Sequence, residues 1–359
     1  MRCLRLVDVI GYDVGGANTK AVWMHTENGS VTLRSASQYF PVWKEPEKLD
    51  CVFLELKERL DVGSLDAIGI TMTAELSDAY KTKREGVHHI LNCLKEAFPA
   101  TPLYVLDSNA DLVSIQQAKQ NPLSVASANW AATGWLISKK VKNSIVIDVG
   151  STSTSIIPVL EGKLVARGKT DLDKLICGEL IYTGSLRTNV ATIVQKIAIR
   201  GSVAGLSSEL FATSGDIHLL LGHISSTDFT SETADGRGKS IKEAMARLSR
   251  IICADIDMLT RKEIIDLAEF IYQKQLFQIR SGLTKVYEYL ESKTNDEIVI
   301  VVTGLGYDFL ARKAAEQMGV NEIISIDVLF SKEAVLATPA VGVACLTANK
   351  IEGAPIKWP

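Results

Sequence analysis

Two short segments of the chain carry an acid, glycine and hydroxyl groups in the same order. Asp13-Val14-Gly15-Gly16-Ala17-Asn18-Thr19 is the first, and Asp148-Val149-Gly150-Ser151-Thr152-Ser153-Thr154 is the second. They lie 135 positions apart, about one domain length. Each follows a β-branched run. Each continues into apolar residues and then a second turn, Glu27-Asn28-Gly29-Ser30 in one case and Leu160-Glu161-Gly162-Lys163 in the other. A strand ending in aspartate delivers a carboxylate at its tip. Glycine lets the next turn take angles that other residues resist, and the N–H groups of such a turn converge on an anion. Hydroxyls add donors for phosphate oxygens. The carboxylate itself repels phosphate, so its use there is to hold Mg²⁺, directly or through water, or to orient a reacting group. One such turn alone would be an ordinary hairpin. The pair predicts a phosphate clamp, with Asp13 and Asp148 as catalytic and metal-holding acids. Gly15, Gly16, Asn18, Thr19, Gly150, Ser151 and Thr152 form the predicted cradle. Lys20 either neutralises phosphate or continues its strand outward as a solvated lysine. No GxxxxGK[ST] and no GxGxxG follows the first strand, so this is neither a Walker nor a dinucleotide loop.

The elements that must position these turns are readable as runs. Met1 to Ile10 reads as a first strand, and Thr19–Met24 and Val31–Leu33 as the next two, joined by the turn at Asn28-Gly29. Leu49–Leu60 has helical spacing, Ala67–Thr71 is a buried strand, Gly86–Phe98 a helix stopped by Pro99, and Leu103–Leu106 a short strand. Ala126–Ser138 is small and apolar and predicts a helix between lobes. Ser144–Asp148 opens the second series. The stretch 191–205 is ambiguous, and Ser225–Gly238 reads as a loop. Ser240–Leu259 and Arg261–Tyr289 are amphipathic helices. Ile298–Thr303 is a buried strand, Phe309–Met318 helical, Glu322–Ile326 a strand and Pro339–Ala348 a last helix.

The totals narrow the class. A chain of 359 residues exceeds one ordinary core and suits two domains, here 1–140 and 141–359, with the last helix packing back on the first. A formal net charge of -3 gives no general attraction to nucleic acid or to an anionic membrane. No stretch reaches the ~18 apolar residues of a membrane span. Six cysteines without a CxxC pair suit reduced thiols in the cytoplasm, and neither they nor the histidines have metal-ligand spacing.

The paired turns resemble the phosphate motifs of the sugar kinase, Hsp70 and actin superfamily. That resemblance implies an α/β fold of two ribonuclease-H-like lobes with a ligand cleft between them. Val301-Val302-Thr303-Gly304-Leu305-Gly306 resembles the superfamily's third motif, which places Gly304 among the nucleotide or phosphate contacts. More of the chain is similar to hydantoinase/oxoprolinase-related proteins linked to tetrahydromethanopterin one-carbon pathways. The matching segments are Gly11 to Lys20, Thr71-Met72-Thr73-Ala74-Glu75-Leu76-Ser77-Asp78, Asn129-Trp130, Asp148 to Thr152, and Thr233-Ala234-Asp235-Gly236-Arg237. This family includes a methanofuran-biosynthesis enzyme that joins an aminomethylfuran-methyl diphosphate to γ-glutamyltyramine, making an aryl ether and releasing diphosphate.

The resemblance implies roles for further residues. Glu75 and Asp78 would take the phenol proton or bind the acceptor's amine, unless they form a solvent-facing loop. Arg237 would hold phosphate, and Asp235, Asn129 and Trp130 would contact substrate, with Trp130 as core filler the alternative. The partner implied is a small phosphorylated molecule with Mg²⁺, and a homo-oligomer is compatible. One departure bears on ATP. Many relatives carry aspartate where this chain has Ser155, which weakens ATP hydrolysis more than diphosphate binding. An ATP-dependent kinase or amide hydrolase of the same fold is the alternative activity.

Overall fold

The computed structural model describes residues 6–27, 30–320, 322–330 and 332–353, and only the backbone of 332–334. The first five residues of the predicted opening strand and the turn at Asn28-Gly29 lie outside the described residues. Two mixed sheets dominate. In the first, β1 (Val7–Val14) is flanked by β2 (Asn18–Glu27) and β3 (Ser30–Tyr39) on one side, and by β4 (Ala67–Met72), β5 (Leu103–Leu106) and β6 (Leu112–Ser114) on the other. In the second, β7 (Ser144–Val149) is flanked by β8 (Thr154–Leu160), which pairs with both β9 (Lys163–Leu164) and β10 (Leu180–Ile181). The small hairpin β11 (Lys196–Ile199) and β12 (Ser202–Gly205) stands apart. On the far side of β7 lie β13 (Val299–Thr303) and β14 (Ile323–Ser325).

The two sheets share one plan. Each begins with an antiparallel hairpin, β1–β2 or β7–β8, and a parallel strand, β4 or β13, then joins the first strand from its other side. A parallel neighbour needs a crossover, and the helix Leu49–Arg59 supplies it in the first lobe. The second lobe inserts far more chain before β13, ending in the helix Arg261–Glu291.

Each sheet has a core of its own on its outer face. A third core fills the space between the sheets. Val9 and Met24 from the first sheet, Val146 and Ile157 from the second, and two helices, Asn129–Ser138 and Lys332–Glu352, meet there. The fit is close enough to require missing side chains. A Cβ on Gly342 would lie 2.5 Å from the Ala132 carbonyl oxygen, and one on Gly11 would lie 2.2 Å from that of Ala340. Glycine thus sets the distance between the last helix, β1 and the interlobe helix. That last helix bends at Ala337, whose φ of -134° and ψ of 29° are not helical. Pro339 sits just beyond the bend, and its ring disfavours helical geometry in the residues before it.

Three segments differ from their sequence patterns. The predicted helix Ser240–Leu259 ends at Arg250, because the chain turns through Cys253 at φ 57°. The ambiguous stretch resolves into a helical turn, Val190–Ile193, and the β11–β12 hairpin. Phe309–Met318 is a wide π-type turn, Tyr307–Arg312, before a short helix.

Replacing Gly11 by Ala should lower stability by about 3 kcal/mol, since overpacking here presses on backbone. Gly63→Ala, where a Cβ meets nothing within 4 Å, should stay within about 0.5 kcal/mol of wild type. Urea unfolding of the two variants checks this, and equal midpoints would contradict it.

Candidate functional site

The two aspartates end the corresponding strands of the two hairpins. Asp13 pairs across to Lys20 on β2 and to Thr71 on β4. Asp148 pairs across to Ser155 on β8 and to Thr303 on β13. The turns after them close with the same bond, Gly15 N–H to the Asn18 carbonyl at 3.0 Å and Gly150 N–H to the Ser153 carbonyl at 2.9 Å. The sequence repeat is therefore a repeat of hydrogen bonds. Ser155 occupies the place in the second hairpin that Lys20 holds in the first.

The acids face a common space. Asp13 is 6% exposed, and its Oδ1 is buried with no partner among the described residues. Its pKa is raised to about 6, by burial first and also by the charge of Asp148, against the opposing pull of Lys20 and a hydrogen bond from Asn129. Asp148 is likewise raised by burial, and Lys20, a hydrogen bond from Thr133 and Lys174 oppose the shift. Thr133 Oγ1 donates to Asp148 Oδ2 at 3.4 Å. Asn129 and Thr133 are four residues apart and so share one face of the interlobe helix. That face reaches the acid of each lobe. Gly304, at φ 85°, closes the other side: a Cβ there would stand 2.5 Å from Asp148 Oδ1.

Two cavities make up the cleft. One, about 360 Å³, is lined by Asp13, Asn18, Lys20, Asp148, Gly150, Ser151 and Gly304, with Leu305 and Leu336 as apolar wall. The other, about 400 Å³, is lined by Gly16, Trp43, Asp78, Thr152, Asp171, Lys174, Tyr182 and Arg187. Asn129, Ser153 and Ser155 border both. Arg187 donates to Thr152 Oγ1 at 3.1 Å, and its guanidinium stands 4.7 Å from the Trp43 ring centre.

A divalent cation fits the acid pair. Two converging carboxylates, one with a free buried oxygen, match a hard ion that keeps waters and takes phosphate oxygens as its remaining ligands. Asp13 and Asp148 are the residues that could hold it.

The structure sorts the predicted residues. Lys20 lines the cleft rather than running out to solvent. Thr19 does not: strand alternation sends it to the opposite face, where it is fully buried. Gly15 serves its turn without bordering either cavity. Asp78 lines the second cavity, but Glu75 sits behind the wall. Its Oε1 accepts from Ser127 at 2.6 Å and lies 3.4 Å from Lys83 Nζ. Trp130 is buried in the interlobe core and borders neither cavity. Asp235 and Arg237 are not brought to the cleft wall. Asp235 is held by Arg247 at 3.2 Å and Arg250 at 3.0 Å, so it anchors the base of its loop, and Arg237 is exposed. The loop itself does reach the first cavity, through Thr227, Asp228 and Thr230. Its Glu232 crosses to Lys44 at 2.6 Å.

Sequence reasoning missed Ser127, Thr133, Asp171, Lys174 and Arg187. Thr133 had a signal, four residues after Asn129. Lys174 had none, because a lysine in Asp-Leu-Asp-Lys reads as a solvated charge.

The hydantoinase/oxoprolinase family matches residues 66–350. The chain belongs to the hydantoinase/oxoprolinase family. Within it, the chain is 38% identical over 345 residues to a Methanocaldococcus jannaschii protein, covering 96% of this chain and 98% of the relative. That relative is (4-{4-[2-(γ-L-glutamylamino)ethyl]phenoxymethyl}furan-2-yl)methanamine synthase. A synthase of the same name from Methanococcus vannielii is 37% identical over 212 residues, which is 58% of this chain and 93% of the relative. Among solved structures, nucleotide-free acetone carboxylase superposes with a TM-score of 0.56 at 12% identity, over 95% of this chain and 70% of that one. The chain thus shares a two-lobed α/β fold with that protein.

The raised pKa of Asp13 has a stability consequence. A carboxyl raised in the folded state contributes stability below about pH 4, and this is lost as pH rises through about 6. Asp13→Asn removes that loss. Without divalent cations, the variant should be more stable than wild type by about 1–3 kcal/mol at pH 7.5, with the difference shrinking towards pH 4. Thermal unfolding across pH checks this; a variant less stable at pH 7.5 would contradict it.

Proposed function

We propose that the chain joins the furan-methyl carbon of an aminomethylfuran-methyl diphosphate to the phenol oxygen of γ-glutamyltyramine and releases diphosphate, as a step of methanofuran biosynthesis in the cytoplasm. The observation that carries this is the end-to-end match to a named synthase at 38% identity. The product in that name contains a phenoxymethyl–furan link, which is the bond such a condensation makes. The described cysteines are unpaired, in keeping with a reducing compartment.

The cleft suits two substrates meeting end to end. The cavity with the acids takes the diphosphate. Its phosphates lie on the backbone donors of the Gly150 turn and near Lys20, while Leu305 and Leu336 cover the furan. The second cavity takes the acceptor. Its γ-glutamyl end carries both a carboxylate and an ammonium, which suit Arg187 and Asp78 respectively. The reacting ends then come together at Asn129, Ser153 and Ser155, the residues common to both cavities.

Asp13 and Asp148 would hold Mg²⁺, whose charge favours departure of diphosphate. Lys20 and the turn N–H groups stabilise negative charge growing on that leaving group. The furan ring shares positive charge at the methyl carbon, so the carbon–oxygen bond to diphosphate can weaken before the new one is complete. The phenol oxygen then bonds to carbon, its proton goes to a base, and the breaking bond's electron pair leaves on diphosphate.

Purified protein with Mg²⁺ and the two substrates, without ATP, should give the ether and one diphosphate for each ether formed. Asp13→Asn and Asp148→Asn should each lower kcat by about 100-fold or more. Mass spectrometry and a diphosphate assay read both. Ether formation only with ATP, accompanied by ADP, would instead support an ATP-dependent enzyme of this fold.

A further inference from the structure

Along the wall of the second cavity, with Glu75 behind it, runs a charged network that the reaction as drawn does not use. Ser127 Oγ is 2.6 Å from Glu75 Oε1 and 2.6 Å from Asp171 Oδ2, and Lys83 Nζ is 2.5 Å from the same Asp171 oxygen. Ser127 is held at φ 52°, a strained value for a residue with a side chain. Lys83 thus answers the two acids. Lys174, three residues after Asp171, does not join them.

Lys174 is 2% exposed, yet it lines the cavity. Among the described residues its Nζ has neither a hydrogen bond nor an ion pair. The nitrogen stands 4.4 Å from the ring centre of Trp130. The stem is fixed as well. A Cβ on Gly168 would meet Lys174 Cγ at 2.6 Å, so only glycine lets the chain pass so closely. A buried amine with a fixed stem, an aromatic wall and an open side towards a substrate cavity is arranged for proton transfer rather than for ion pairing.

We propose that Lys174, in its neutral form, is the base that takes the phenol proton of the acceptor; this rests on the ether-forming reading above. The phenol O–H bond breaks, its proton goes to Nζ, and the oxygen bonds to the furan-methyl carbon as the diphosphate leaves. The resulting ammonium returns its proton to water after the products depart.

The electrostatics allow this. Burial lowers the pKa of Lys174 to about 7, and Asp171, Glu179 and Asp148 pull the other way. Glu179 is occupied by the Arg167 and Gly168 N–H groups, and Asp171 by Lys83 and Ser127. Lys169, 5.8 Å from the same Trp130 ring, adds a positive charge nearby, and Asp78 and Arg187 face the cavity from other elements. Burial thus favours the amine that can accept a proton.

The test follows kcat/KM against pH in wild type, Lys174→Met and Lys174→Arg, each with both substrates and Mg²⁺. Wild type should rise with unit slope up to about pH 7 and level off. Lys174→Met should lose about 100-fold or more together with that limb, and Lys174→Arg should not restore it. Small primary amines added to Lys174→Ala should recover rate in proportion to amine basicity, which a merely structural lysine would not allow and which also shows that the variant folds. Full activity in Lys174→Arg, or an unchanged limb in Lys174→Met, would overturn the assignment while leaving the ether-forming reading intact. No diphosphate release by wild type would overturn the reading itself, and the base with it.

Discussion

Two carboxylates, Asp13 and Asp148, end strands of two separate sheets and face the same small space with one lysine, Lys20, between them. Such an arrangement is unfavourable by itself. Burial and mutual repulsion both oppose ionisation, and one oxygen of Asp13 finds no partner among the described residues. The fold holds the acids there because the helix Asn129–Ser138 contacts both, through Asn129 and Thr133 on one face. The interlobe core in turn fixes that helix, with Gly342 and Gly11 setting the distances. A cation and an anionic ligand that bound only the folded state would recover the stability lost in placing the acids.

Duplication explains the symmetry of the cleft, and its breakdown explains the chemistry. The two hairpins agree down to the bond that closes each turn. They differ in the residue paired across from the acid, which is Lys20 on β2 and Ser155 on β8. Two lysines would cancel the charge of the acid pair and compete with a metal ion. A third acid would add repulsion. With one lysine and one serine, an ionised pair would keep negative charge to offer a cation, while the serine leaves the point between the cavities small and uncharged. On the proposed reading of the two cavities, the new bond would form at that point.

The paired turns and most strands were legible because their causes are local. Apolar runs mark buried strands, and aspartate followed by glycine marks a strand end whichever lobe it belongs to. Residues whose roles come from distant partners were not legible. Asp235 lies in a family segment and so looked like a substrate contact. The structure gives it two arginines, Arg247 and Arg250, from a helix that begins after its loop. Thr19 belongs to the motif by position, yet strand alternation turns it into the core. The run Ser240–Leu259 has helical spacing throughout, and one left-handed residue, Cys253, ends the regularity.

Lys174 shows the same limit from the other side. Its neighbours in sequence are charged, as on any surface helix. Its neighbours in space are Trp130 from the interlobe helix, the bare backbone at Gly168 and an open cavity. Trp130 itself borders neither cavity, yet it determines what a lysine does at one of them. A ring behind the amine excludes water and offers no proton acceptor, so burial outweighs the surrounding acids. The Asn129-Trp130 pair therefore acts twice: Asn129 on the acid of the first lobe, and Trp130 on an amine of the second. The interlobe helix is in this sense part of the site as well as its support, and a change in how it packs would alter both ends of the cleft together.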